Sequence, residues 1–239
     1  MRIFLAGATG AIGRRLVPLL IAAGHEVTGT TRSAEAARKL EAAGIRAAIV
    51  DVYDAAALAR AAALAKPDVV VHQLTDLPRS FDQKEIAASY QRNARIRVEG
   101  TRNLVAAAQA AGAARFIVQS VAFAYAPGRE PHGEEDPLNL ADGPRVETVR
   151  GAADMERQVL TSGMEGIVLR YGFFYGPGTW YDGAGDKPSV HVDAAANAAV
   201  LALSRGAPGV YNIADDDGAV SIEKARRELG FDPAFRLPV

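Results

Sequence analysis

From Arg2 to Arg170 the chain alternates short apolar runs with alanine-rich stretches of helical spacing, an order that few folds accept. Arg2–Ala6 is apolar on both faces of a strand, as a fully buried parallel strand requires. Ala11–Ala23 then sets Ile12, Leu16, Leu19 and Leu20 at helical spacing before Gly24 stops the run. The same reading predicts strand over His25–Thr31, helix over Ala34–Ala43, strand over Arg46–Val50 and helix over Ala55–Ala65. A strand at Asp68–Val71 and a long helix from about Lys84 to Ala111 follow. Strand at Arg115–Val118, helix over Val146–Ser162 and strand at Gly166–Arg170 continue the pattern. The expectation is an α/β protein, a single domain over residues 1–239, with a doubly wound parallel sheet and helices on both faces.

The chemistry begins in the first strand-to-helix turn, GATGAIG, which runs from Gly7 to Gly13. Glycine permits a sharp turn and close approach of a pyrophosphate, and the helix start presents free N–H groups and a positive dipole end to it. Gly7, Thr9, Gly10, Ala11 and Ile12 are therefore candidate dinucleotide-binding residues, and the fold expected is of the Rossmann type. A turn without a ligand is the bland alternative. Dinucleotide type should be decided after the second strand, where a carboxylate favours NAD. Thr30-Thr31-Arg32-Ser33 stands there instead. Arg32 can fork onto a 2′-phosphate and Ser33 can add a hydroxyl, so NADP is expected ahead of NAD, with Glu35 nearby keeping NAD open. After the third strand, Asp51 and Val52 can meet an adenine, or Asp51 can cap the helix that begins near Ala55.

Other partners are excluded more simply. A formal net charge of −1 offers no excess positive potential to nucleic acid or to an anionic membrane. No run approaches the roughly 18 apolar residues of a membrane span, and the opening apolar run breaks into glycine too early for a signal core. A cytoplasmic protein is the expectation. With no cysteine in the chain, disulfides and thiolate chemistry are absent. His191 and Asp193 read as the anchor of a helix start, since two ligands alone do not make a metal site.

GATGAIG, Asp51-Val52, VEGTRNLVAAAQAAG, QSVAFAY and YGFFYGPGTW together resemble an extended or atypical short-chain dehydrogenase/reductase of the NAD-dependent epimerase/dehydratase type, over nearly the whole chain. The resemblance implies contacts to the cofactor from Gln73, Leu74 and Thr75 after the fourth strand and from Gln119 and Ser120 at the end of the fifth. It also implies a homodimer through two long helices. The family pairs Tyr and Lys at YxxxK spacing on one helical face, where the ammonium lowers the tyrosine pKa. No YxxxK occurs here: matching Glu156 to the family's glutamate puts Thr148 and Ala152 at those positions, and matching Tyr125 puts Val121 where a hydroxyl usually stands. Ser120 and Tyr125 are left as the candidate catalytic hydroxyls, with Thr148, Arg150 and Tyr90 as further polar groups.

Tyr171, Phe173, Phe174, Tyr175, Trp180 and Tyr181 form either an apolar wall beside the nicotinamide or a buried plug. Residues 171–191 and 213–239 read as a reduced C-terminal substrate-binding region, too short for a large nucleotide sugar. The expected function is an NAD(P)-dependent oxidoreductase acting on a small carbonyl or alkene. A nucleotide-sugar epimerase or dehydratase and a non-catalytic NADP-binding sensor are the alternatives.

Overall fold

The computed structural model describes residues 1–77, 83–141, 143 and 145–238, so Val239 of the C-terminal region lies outside the described residues. Its elements, in chain order, are β1 (Arg2–Ala6), α1 (Ala11–Ala22), β2 (Glu26–Thr31), α2 (Ala34–Ala42), β3 (Arg46–Ile49), α3 (Ala55–Ala65), β4 (Val69–His72), α4 (Gln83–Arg95), α5 (Thr101–Ala110) and β5 (Arg115–Val121). They continue with α6 (Val146–Leu160), β6 (Glu165–Tyr171), β7 (Phe173–Tyr175), β8 (Ser189–His191), α7 (Val192–Leu201), β9 (Gly209–Ile213) and α8 (Glu223–Leu229).

Seven strands form one parallel sheet in the order β3-β2-β1-β4-β5-β6-β9, the expected doubly wound α/β architecture. The chain winds one way from β1 to β3 and the other way from β4 to β6. The reversal lies between β1 and β4, where open α/β sheets bind ligands beyond their carboxyl ends. Both faces are covered, which explains the unbroken apolar strands. Ile3 and Leu5 of β1 pack with Leu16, Leu20 and Ala195 on the α1/α7 side. Phe4 and Ala6, pointing the other way, pack with Leu58, Leu104 and Met155 on the α3/α5/α6 side.

Three features depart from the sequence expectation. The helix expected over residues 84–111 is broken into α4 and α5 by a π-helical turn at Ile96–Gly100, in which the Thr101 N–H donates to Ile96 O five residues back. Within it Arg97 points inward and donates to Thr148 O and Oγ1 at 2.7 and 2.6 Å. Second, β7 and β8 make a small parallel pair, with Phe173 opposite Ser189. Three-residue strands are too short to display a period. Third, β9 extends the main sheet beside β6. Its Asn212 interrupts the apolar pattern yet is fully buried, its N–H donating to Glu134 Oε1 and its amide to His132 O and Ser221 O.

Candidate functional site

The carboxyl ends of β1 to β5 bring the predicted cofactor residues to one edge of the sheet. Gly7 sits at φ +96°, and a Cβ there would stand 2.7 Å from the Gln73 carbonyl, while one at Gly13 would stand 2.2 Å from Gly7 O. Those two glycines are required by the fold itself. Gly10 is different: it is exposed, caps α1 in extended backbone, and its nearest neighbour to an added Cβ is Gly7 O at 3.4 Å. Thr9 is exposed beside it, its carbonyl held by Arg14 Nε at 3.0 Å. Ile12 is buried in the core, so what Ala11 and Ile12 offer a ligand is the first-turn N–H of each.

At the end of β2, Ser33 caps α2 by accepting from the Ala36 N–H at 3.0 Å, which leaves its own proton free to donate. Arg32 is exposed and lines an open cavity of about 730 Å³ with Thr75, Asp76, Lys84 and Arg92. Beyond β3, the helix cap falls to Asp54, which accepts from the Ala57 N–H at 2.9 Å. Asp51 instead turns the chain by accepting from the Tyr53 N–H at 3.0 Å and stays exposed. Val52 is fixed by Asn103, whose amide donates to its carbonyl at 2.9 Å.

The β4 exit is the most constrained. His72 is buried, its Nδ1 accepting from the Leu74 N–H and its Nε2 facing Thr101 Oγ1, both at 3.1 Å. Burial, aided by the Arg97 charge, pushes its pKa down to about 3, so the ring is neutral at physiological pH. Asn93, which sequence reading missed, clamps the following loop through the Asp76 N–H and carbonyl. Its only signal was a polar residue on the inward face of a helix. Leu74 is half-buried and Thr75 exposed. Gln73 is buried, and neither amide atom has a hydrogen-bond partner among the described residues. The Gln73 amide stands close enough to the Tyr171 hydroxyl to draw that phenol's pKa down against burial, but the hydroxyl donates to Ala195 O at 3.2 Å and no bond of good geometry joins it to the amide. A buried, unanswered amide beside a glycine cradle fits a polar ligand such as a dinucleotide.

At the end of β5 the arrangement reverses. Gln119 is half-buried; Ser120 is fully buried and donates to Glu156 Oε1 at 2.6 Å. Glu156 also holds Arg170 through two bonds, Nε to Oε1 at 2.9 Å and the second guanidinium nitrogen to Oε2 at 2.7 Å. Arg170 donates to the Tyr125 hydroxyl at 2.9 Å, and that hydroxyl donates to Asn212 Oδ1 at 2.7 Å. Burial opposes the Arg170 charge, but the Glu156 bonds and field override it and hold the guanidinium above its ordinary pKa. Burial pushes the Tyr125 phenol up, against the pull of Arg170. Neither hydroxyl is the free proton donor that a strand-end position implies. Around them Val121, Ala124, Val149 and Ala152 form a buried apolar cluster, and Thr148 is taken up by Arg97. Thr148, Ala152 and Val121, the residues matched in sequence to the family's Tyr, Lys and hydroxyl, thus lie in or beside this cluster.

His191 does anchor a helix start, its Nδ1 accepting from the Asp193 N–H at 3.1 Å at the head of α7. Among the described residues no helix is long and apolar enough to cross a membrane, and no cluster of metal ligands forms.

A sequence family described as NAD(P)H-binding matches residues 7–203. The 3-diazoavenalumate denitrifying reductase of a Streptomyces species is 40% identical over 263 aligned positions, spanning 100% of this chain and 84% of that protein. Among solved structures, the UDP-glucose 4-epimerase of Thermotoga maritima superposes with a TM-score of 0.80 at 19% identity, over 99% of this chain and 94% of the other. The dTDP-glucose 4,6-dehydratase of Streptomyces venezuelae, solved with NAD bound, gives 0.78 at 21% identity, over 99% and 93%. The structures share the fold, and the close reductase relative carries the sequence with it. With the family match spanning the glycine cradle, the β4 exit and the β5 end, the chain belongs to the NAD(P)H-binding family of atypical short-chain dehydrogenase/reductases and is an NAD(P)-dependent oxidoreductase.

Proposed function

We propose that this protein is an NADP-preferring reductase whose acceptor takes up a hydride without needing a proton from the protein. The observation that carries the reading is the pairing of a ligand-ready glycine cradle with relay positions occupied by Val121, Thr148 and Ala152. NAD(P)H bound here would supply the hydride. The chain's part is to hold the pyrophosphate at Gly10, Ala11 and Ile12, the adenosine end at Arg32, Ser33, Asp51 and Val52, and the ribose side at Gln73, Leu74, Thr75 and Gln119. Ser120 and Tyr125 act as positioning residues, fixing the β5 end through Glu156 and Arg170. A carbonyl needs a proton as its oxygen becomes a hydroxyl, and general acids for that step are worth about 10²–10⁴-fold. An aryldiazonium needs none: hydride adds to carbon, the C–N bond breaks with its electron pair leaving on N₂, and an arene remains. The relative's name, a denitrifying reductase of a diazo compound, supports this acceptor class.

The region 171–191 with 213–239 is read as a reduced substrate side, which favours a small acceptor over a nucleotide sugar. A cytoplasmic location and a homodimer through α4 and α6 belong to the same reading. Benzenediazonium offered with NADPH deuterated at the transferable position should give deuterated benzene, and the same reaction run with NADPH in D₂O should give unlabelled benzene. Turnover of UDP-glucose, or carbonyl reduction at a higher kcat/KM than diazonium reduction, overturns the proposal. Titration calorimetry should show NADPH binding more tightly than NADH, with Arg32→Ala weakening NADPH by about 10- to 100-fold, the worth of one charge-assisted contact. Equal wild-type affinities would end the NADP assignment.

A further inference from the structure

At the β5 side of the crevice a cation sits where packing alone does not account for it. Phe123, in the turn after β5, and Phe173, the first residue of β7, are stacked with centroids 4.3 Å apart and planes within 3°. The Arg145 guanidinium carbon lies 5.2 Å from one centroid and 5.1 Å from the other. Both distances are within cation–π reach, so the guanidinium rests against the aromatic pair. A ring face attracts a cation but carries no net charge, so the guanidinium keeps its charge there. No carboxylate lies within ion-pair distance of Arg145 among the described residues.

The neighbourhood is that of the reaction. Phe123 packs on Val121, Ala124, Val149 and Ala152, the cluster that occupies the relay positions, and Arg145 is the residue that leads into α6. Both rings are half-buried and Arg145 is exposed, so part of the ring surface and the charge are open to a ligand from solvent. We infer that Arg145, Phe123 and Phe173 form the recognition site for an aromatic carboxylate. Its carboxylate takes the guanidinium fork, and its ring lies against the outer face of the phenylalanine pair. The inference deepens the reductase reading, on which it rests for the reacting group at the other end of the molecule.

Cinnamate, an inert aromatic carboxylate, and methyl cinnamate are titrated into the NADP⁺-loaded protein by calorimetry. Cinnamate should bind about 10- to 100-fold more tightly than its ester. Arg145→Gln should erase that preference, Arg145→Lys should restore part of it, and Phe173→Leu should weaken both ligands. Equal wild-type affinities, no binding of either compound, or a preference that survives Arg145→Gln overturns the inference. A second arm follows NADPH oxidation with 4-carboxybenzenediazonium and its methyl ester. If neither is reduced while the cinnamate preference holds, the reductase reading fails and the carboxylate site stands; if both are reduced with equal kcat/KM, the carboxylate site fails and the reductase reading stands.

Discussion

On the β1 side of the crevice, Gly7 and Gly13 clear space against the backbone and the Gln73 amide is left unanswered. On the β5 side, Ser120, Glu156, Arg170, Tyr125 and Asn212 answer one another, and Val121, Val149 and Ala152 fill the rest. One side is incomplete until a ligand arrives; the other is complete without one. The contrast teaches that cofactor binding and proton delivery are separable in this fold. The backbone that grips a dinucleotide is set by turn geometry, while the relay depends on three side chains that can be replaced by a packed cluster.

The sharpest way to break the contrast is to open the sealed side. Glu156→Gln leaves the Arg170 guanidinium buried without its countercharge, and breaking such a pair costs about 3–5 kcal/mol. Urea unfolding of the variant checks this, and a loss below about 1 kcal/mol would mean that water reaches the network. The open side should respond in the opposite currency. Gly10→Val meets little of the protein, since only Gly7 O stands as near as 3.4 Å to its Cβ, but it puts a branched side chain where the pyrophosphate must lie. Stability should change by less than about 1 kcal/mol, and NADPH affinity should fall by about 10²-fold or more, roughly 2.7 kcal/mol. A folded variant that binds normally would make the loop a turn and nothing more.

A smaller effect lies between the two sides, at His72. Its folded pKa of about 3 is below the ordinary 6.5, so its contribution to stability is fully present above pH 6.5 and is lost as pH falls toward 3. The loss should approach about 1.4 kcal/mol per pH unit, or about 2 kcal/mol by pH 5. His72→Gln, though less stable at neutral pH for want of two hydrogen bonds, should show a shallower decline between pH 7 and 5 in urea titrations. Parallel declines would assign the acid sensitivity to other groups.

The glycine turn and the strand ends were legible because their signals are local. A strand, three glycines and a helix start are adjacent in sequence, and the polar residues after β2, β3 and β4 follow by counting strand ends. Ser120 and Tyr125 follow from the same counting, but their surroundings do not. Nothing in QSVAFAY reveals that their partners are Glu156, Arg170 and Asn212, 36, 45 and 87 residues away. The Asn212 strand was missed because a buried asparagine looks like a loop residue until its partners are seen. The lack of a YxxxK motif, by contrast, is plain in the letters, and only the packing shows what surrounds Thr148 and Ala152.

The π-helical turn between α4 and α5 carries a consequence for how this chain can vary. An α-helix advances about 100° per residue, and the wider turn at Ile96–Gly100 takes up one residue more within a single turn, so the sequence phase of the inward face shifts between α4 and α5. α5 keeps Leu104, Ala107 and Ala108 on the sheet, while Arg97 is swung toward α6 to meet Thr148. Removing one residue from the turn would close it to an ordinary α-turn and leave α4 and α5 seated, and what would be lost is the swing that brings Arg97 onto Thr148. A one-residue change of length here is therefore absorbed by the helix and felt at a single buried cation.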